Sequence, residues 1–317
     1  MVREPGASHL NPVSRAGTIA YVLWRLSRPS QVALIGLVYA LGIAVASGHG
    51  FDVTHRSILI GVLGLLPVAV SVHYANEFAD YETDALTTRT PFSGGSGALI
   101  DTGLPRRFAL VAAVAAGILA VFSLVVLSRT LSPTAVALLT VIVIAGWQYS
   151  VGPFRLAWRG LGEVTNAALG GVLLPLYGYA VVTGTVTVEA ALTTIPFVLV
   201  VFVNLLETTW PDRAADAAVG KRTLATRWSR TRLRAVYILG SLLAGLSVLA
   251  LAGTVLPVRL SVLTLCAMGG LVWGSHRFTR RETPFPAVVT MVLVALVMTG
   301  GWFYEAGFGL SFLRSFI

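Results

Sequence analysis

The sequence predicts an all-α, polytopic membrane protein with about nine transmembrane helices. Three observations carry that prediction. Of the 317 residues, 56% are hydrophobic and only 12% are charged, with mean hydropathy +0.80; a soluble domain carries about twice that charged share. The apolar residues gather into nine long runs, at 30–47, 57–79, 107–127, 133–149, 162–182, 188–209, 233–253, 258–275 and 285–304. Each is close to the roughly 20 residues a helix needs to cross a bilayer, and none alternates as barrel strands do. Nine such spans use about 180 residues, which argues against a second, soluble domain. The expected organisation is a tail and juxtamembrane helix over 1–27, then one transmembrane domain over 28–317.

Taken in order, residues 1–27 carry Arg3, Glu4, Arg15 and Arg25 but no apolar core of signal-peptide length. They are expected to form a cytoplasmic tail and a short helix, Thr18–Leu26, with Tyr21 and Trp24 at the membrane interface. Connections after odd-numbered spans are short and nearly uncharged; those after even-numbered spans are longer and basic. With the amino terminus, the even set holds 19 of the 23 basic residues, leaving Arg56, Arg129, Arg259 and Arg314 on the other side. The positive-inside rule then places the N-terminus and the even connections in the cytoplasm and the C-terminus outside the cell membrane. Lys221 is the one lysine against 22 arginines. This charge reads as topology and contact with anionic membrane lipid rather than nucleic acid, because no aromatic-basic interleave accompanies it. The 32 glycines suit close helix packing. The lone Cys266, inside an apolar run, excludes a disulfide framework and a cysteine metal cluster. His73 reads as a packing histidine, Gly94 to Gly97 as a mobile lid, and Trp210 and the Trp302–Tyr304 run as interface anchors.

Two connections stand apart. After the second span runs Asn76-Glu77-Phe78-Ala79-Asp80-Tyr81-Glu82-Thr83-Asp84, and after the sixth runs Glu207 to Asp216 and then Gly220-Lys221-Arg222-Thr223-Leu224. They hold seven of the 14 acidic residues. Four residues advance a helix by nearly one turn, so Asn76, Asp80 and Asp84 share one face, and Asp212 and Asp216 repeat the pair. Four carboxylates at one mouth of a bundle repel unless cations neutralise them. Oxygen ligands without His or Cys suit Mg²⁺, which completes its shell with water and substrate phosphate. The alternative is a pair of solvated helix ends. Two such pairs on one side of an acid-poor membrane protein favour a metal-diphosphate site.

The two motifs, with Tyr149-Ser150-Val151-Gly152-Pro153 and Arg159-Gly160-Leu161-Gly162-Glu163 between them, resemble the UbiA-type intramembrane prenyltransferase superfamily over nearly all nine spans. The last signature and Gly220-Lys221-Arg222-Thr223-Leu224-Ala225 most resemble the branch that prenylates 1,4-dihydroxy-2-naphthoate in menaquinone synthesis. Two departures are Thr208, where that branch often has Asn, and the stretch from Pro91 to Gly97. The resemblance implies helices around a central cavity open to lipid. It implies Mg²⁺ on Asn76, Asp80, Asp84, Asp212 and Asp216, and transfer of a polyprenyl group from its diphosphate to an aromatic acceptor. Lys221 and Arg222 are then placed to touch phosphate oxygens, with Arg25, Arg28 and Arg89 as further candidates. Tyr149 would face the allylic cation, and Ser150 would lie beside the substrate. Glu207 and Asn204 are candidates either for supporting the site residues from behind or for binding the acceptor. A membrane terpene cyclase with the same metal motifs and no acceptor remains open. A transporter of an anionic lipid is disfavoured, because the acids cluster near one face rather than at the midplane.

Overall fold

The computed structural model describes residues 12–307; the expected tail before Pro12, with Arg3 and Glu4, lies outside the described residues, as does Arg314. Nine helices among the described residues are long and apolar enough to cross a membrane: Pro29–Gly48, His55–Ala79, Arg106–Leu127, Pro133–Ser150, Gly162–Thr183, Val188–Thr208, Arg230–Leu251, Val258–Arg277 and Phe285–Glu305. A shorter helix, Pro12–Leu26, precedes them with Tyr21 and Trp24 exposed. The chain is a multi-pass membrane protein.

Local chemistry starts these helices where hydropathy alone would leave soft edges. Thr54 caps the second span in a reciprocal capping box with Ser57. Ser132, Thr187 and Ser229 each accept from the backbone N–H three residues on, at the heads of the fourth, sixth and seventh spans. Pro29 and Pro133 occupy first-turn positions where no N–H is required. The fifth span contains a π-helical turn, Leu169–Leu173, just before Pro175, a common way to absorb a proline inside a long helix.

The first span packs on the fifth and ninth, the second on the third and fourth, and the sixth on the seventh and ninth. Gly42 and Gly178 let the first and fifth spans meet backbone to backbone. A Cβ on Gly42 would run into the Pro175 carbonyl, and one on Gly178 into the Tyr39 carbonyl. Such small-residue contacts are how membrane helices gain packing where lipid is as apolar as leucine. Large apolar side chains such as Val111, Ile118, Phe122, Leu242 and Leu246 face outward, as a lipid-facing surface requires.

Two expected interface anchors are interior. Trp210 is buried against Phe278 and under the Arg213 guanidinium, and Trp302 packs on His49. In both cases a neighbouring helix covers the indole that a single-span reading places at the headgroups. Tyr304, from the same run, is exposed.

Candidate active site

The second span ends at Asp80 and continues after a small bend as a short helix, Tyr81–Leu86. The Asp84 N–H donates to the Asp80 carbonyl at 2.8 Å, so the four-residue spacing keeps its helical sense. Asn76 Nδ2 donates to Asp80 Oδ2 at 2.9 Å and to Ser150 Oγ at 3.3 Å, tying in the end of the fourth span. The second motif forms another short helix, Arg213–Ala218, with Asp212 at its head and the Asp216 N–H bonded to the Asp212 carbonyl.

Lys221 joins the two motifs. Its Nζ donates to Asp80 Oδ1 at 2.9 Å and lies 3.5 Å from Asp216 Oδ1, and all three side chains are largely buried. Gly220 makes the turn that permits this, with φ +78°, a conformation glycine adopts without strain. The Lys221 N–H donates back to the Asp216 carbonyl at 2.8 Å. Beyond it, the Arg222 N–H donates to the Trp158 carbonyl and the Leu224 N–H to Glu163 Oε1 at 2.8 Å. Tyr149 lies next to Ser150 at the end of the fourth span, in the neighbourhood of Lys221.

The glycine-rich stretch lies over this cluster. Gly95, at φ +61°, packs so closely on the Asp84 carboxylate that a Cβ there would overlap Oδ2. Ser93, whose hydroxyl pairs with that of Thr90 at 3.1 Å, stands near enough to Asp212 to favour its carboxylate form. Ser96 donates from its N–H and its hydroxyl to Glu77, at 2.9 and 2.7 Å. Arg28 donates at 2.6 Å to Glu77 Oε1, the oxygen that also accepts the Ser96 N–H. Arg25 reaches the Ser96 carbonyl at 2.6 Å. The stretch expected to be a lid therefore touches both acidic motifs.

Burial dominates the electrostatics. It pushes Asp84 and Asp216 up to about 7 and Asp212 up to about 6, against the pull of Lys221 and Arg28. Burial works against the Lys221 ammonium too, but Asp80 and Asp216 outweigh it and hold its pKa above the usual lysine range. Arg28 is likewise raised, Glu77 and Asp84 overcoming its desolvation. The cluster is short of positive charge.

Among the described residues, no three acid, imidazole or thiol side chains converge closely enough to form a ready metal cage. The donor set still fits a hard cation. Asp212 Oδ1 and Asp216 Oδ1 are buried oxygens without a hydrogen-bond partner; at 3.5 Å Lys221 gives Asp216 charge but no hydrogen bond. Buried acceptors left unpaired are costly, and a divalent ion shared with phosphate satisfies them.

The structure brings together Asn76, Asp80, Asp84, Tyr149, Ser150, Asp212, Asp216 and Lys221. Other expected site residues part from them. Arg222 is exposed, with its backbone N–H held on the Trp158 carbonyl. Arg89 pairs with Asp101 at 2.7 Å and lies across Gly97, so it braces the stretch from outside. Arg25 likewise grips backbone rather than acid. Glu207 accepts from the Ala287 N–H at 2.9 Å, capping the ninth span; buried Asn204 is on the same helix. His73 donates from Nδ1 to the Ser27 carbonyl at 2.7 Å, a packing role. Glu77, Glu163 and Ser93 are the supporting groups that spacing alone did not single out.

Among solved structures, the fold is similar to a UbiA homolog from Archaeoglobus fulgidus bound to GPP and Mg²⁺. That match has TM-score 0.65 and 17% identity, and covers 90% of this chain and 99% of that one. The apo structure of a UbiA homolog from Aeropyrum pernix K1 is similar at TM-score 0.66 and 14% identity, over 86% and 96% of the two chains. A 1,4-dihydroxy-2-naphthoate octaprenyltransferase of Bacillus subtilis (strain 168) is 23% identical over 209 residues, spanning 66% of this chain and 66% of that relative. The model of the UbiA prenyltransferase family matches residues 35–296, a stretch that takes in both acidic motifs and the connections between them, and on that match the chain belongs to the UbiA prenyltransferase family.

Proposed function

We propose that the protein transfers a polyprenyl group from its diphosphate to an aromatic acceptor, 1,4-dihydroxy-2-naphthoate or a close relative, for menaquinone-type quinone synthesis. The observation that carries this is Lys221 standing between Asp80 and Asp216, which links two motifs far apart in the sequence. The name of the Bacillus subtilis relative supports the acceptor class, and the GPP and Mg²⁺ of the Archaeoglobus fulgidus homolog support the donor and the ion.

Asn76, Asp80, Asp84, Asp212 and Asp216 would hold Mg²⁺, whose charge stabilises the departing pyrophosphate. Lys221 donates to diphosphate oxygens, and Arg28, with its side chain 19% exposed near Asp84, is the second cation within reach. Ser150 fixes the Asn76 amide so that its oxygen faces away from the serine. The carbon–oxygen bond breaks with its electron pair leaving on pyrophosphate, and the Tyr149 ring faces the allylic cation. A ring carbon of the acceptor supplies the electron pair for the new bond, and a proton or the carboxyl group then leaves. The apolar helices keep water from the cation. In this reading residues 28–317 act as one transmembrane domain in the cell membrane, with the site on the cytoplasmic side.

The test is product analysis with purified protein, Mg²⁺ and labelled prenyl diphosphate, with and without aromatic acids. Prenylated aromatic product only when acceptor is present is the expected result. A cyclic hydrocarbon or alcohol formed without acceptor would replace transfer by cyclisation.

A further inference from the structure

We propose that Lys221 is a built-in counter-ion that keeps a divalent cation out of the site until diphosphate arrives, so that metal and diphosphate enter together. This rests on the reading above of a metal-diphosphate site and adds an order of binding to it.

The ammonium lies between the carboxylates that the metal needs. Its Nζ uses an Asp80 lone pair at 2.9 Å and stands 3.5 Å from Asp216 Oδ1. A cation approaching those oxygens meets a like charge held in a largely buried setting, where repulsion is poorly screened. Nor is the lysine placed by chance. Its own N–H is tied to the Asp216 carbonyl, the Arg222 N–H to the Trp158 carbonyl and the Leu224 N–H to the buried Glu163. The backbone is fixed, and the four-carbon stem supplies the rotatable bonds that a change of partner needs.

That combination gives a switch of partners. A diphosphate offers the ammonium new acceptors at least as charged as Asp80, so the lysine can leave the carboxylates without losing its counter-charge. Asp80 and Asp216 are then released for the metal. Because coupling between two ligands is reciprocal, diphosphate raises metal affinity by the factor by which metal raises diphosphate affinity. Arginine, with a rigid planar fork, is less suited to such a swing, and this chain places its one lysine here while using arginine at every other basic position.

The test uses the full chain in detergent and follows free Mn²⁺ by electron paramagnetic resonance, without diphosphate. Lys221→Met should bind Mn²⁺ at least about ten-fold more tightly than wild type, the order of one charge-assisted hydrogen bond. Arg227→Gln removes an exposed charge from the same connection and should change Mn²⁺ affinity less than about two-fold, as expected for a solvent-screened group. A parallel assay measures retention of tritiated geranyl diphosphate with and without Mn²⁺. If Lys221→Met does not fold, wild type alone decides. Geranyl diphosphate should then raise its Mn²⁺ affinity about ten-fold beyond a protein-free control, and no rise would overturn the proposal. Equal Mn²⁺ affinity in wild type and Lys221→Met, with Mn²⁺-dependent geranyl diphosphate retention in both, overturns the gate and leaves the site intact. Absence of Mn²⁺-dependent retention in wild type overturns the site itself, and the gate with it.

Discussion

Lys221 and Arg222 are adjacent and carry the same charge, but the backbone sends them to different places. The turn at Gly220 aims Lys221 at Asp80, whereas the Arg222 N–H is held by Trp158 and that residue is exposed. Tyr149 is also placed by its neighbours, next to Ser150 at the end of the fourth span and in the neighbourhood of the same Lys221 and Asp80. If its ring stabilises the allylic cation, Tyr149→Phe should stay near wild type. Tyr149→Leu should lose about 2 kcal/mol of stabilisation, roughly 30-fold in kcat. Diphosphate binding should be unchanged in both, as measured by equilibrium retention of labelled substrate. A Tyr149→Phe loss as large as that of Tyr149→Leu would assign the role to the hydroxyl instead. The four aspartates were legible because helical spacing and charge scarcity point to them directly. Glu77 and Glu163 were not, although both stand inside quoted motifs. Their work is to accept backbone N–H groups of distant segments, Ser96 and Leu224, and nothing in linear spacing encodes such contacts.

At the level of elements, the spans follow the apolar runs closely, with the first expected over 30–47 and found at Pro29–Gly48. The seventh differs most at its start. Ser229 caps it and the helix runs through Arg230, Arg232 and Arg234 before turning apolar, so hydropathy hides a first turn that a cap reveals. The short helices Tyr81–Leu86, Ala98–Thr102 and Arg213–Ala218 have no apolar period long enough to read, and tertiary contacts hold them. Sidedness is the element-scale prediction. Cysteines at the exposed Thr88 and Ala218, in a Cys266→Ser background, should react with an impermeant reagent only from the cytoplasmic face. Reaction from opposite faces would separate the two motifs and defeat a shared site.

For the whole molecule, the question is why a bundle of apolar helices concentrates acid at one mouth. The second and sixth spans deliver the motifs, the fourth delivers Tyr149 and Ser150, and the stretch from Ser93 to Gly97 lies on both motifs. The central claim is that these halves make one diphosphate site. A double-mutant cycle on kcat/KM tests it most directly, with Asp80→Asn and Asp216→Asn singly and together in detergent at saturating Mg²⁺. Each single change should cost about 10²-fold, as loss of one charge-stabilising group does. The pair should cost little more than either alone, because residues that act as a unit are strongly non-additive. Losses that multiply to about 10⁴-fold would mean two independent sites and would contradict the account.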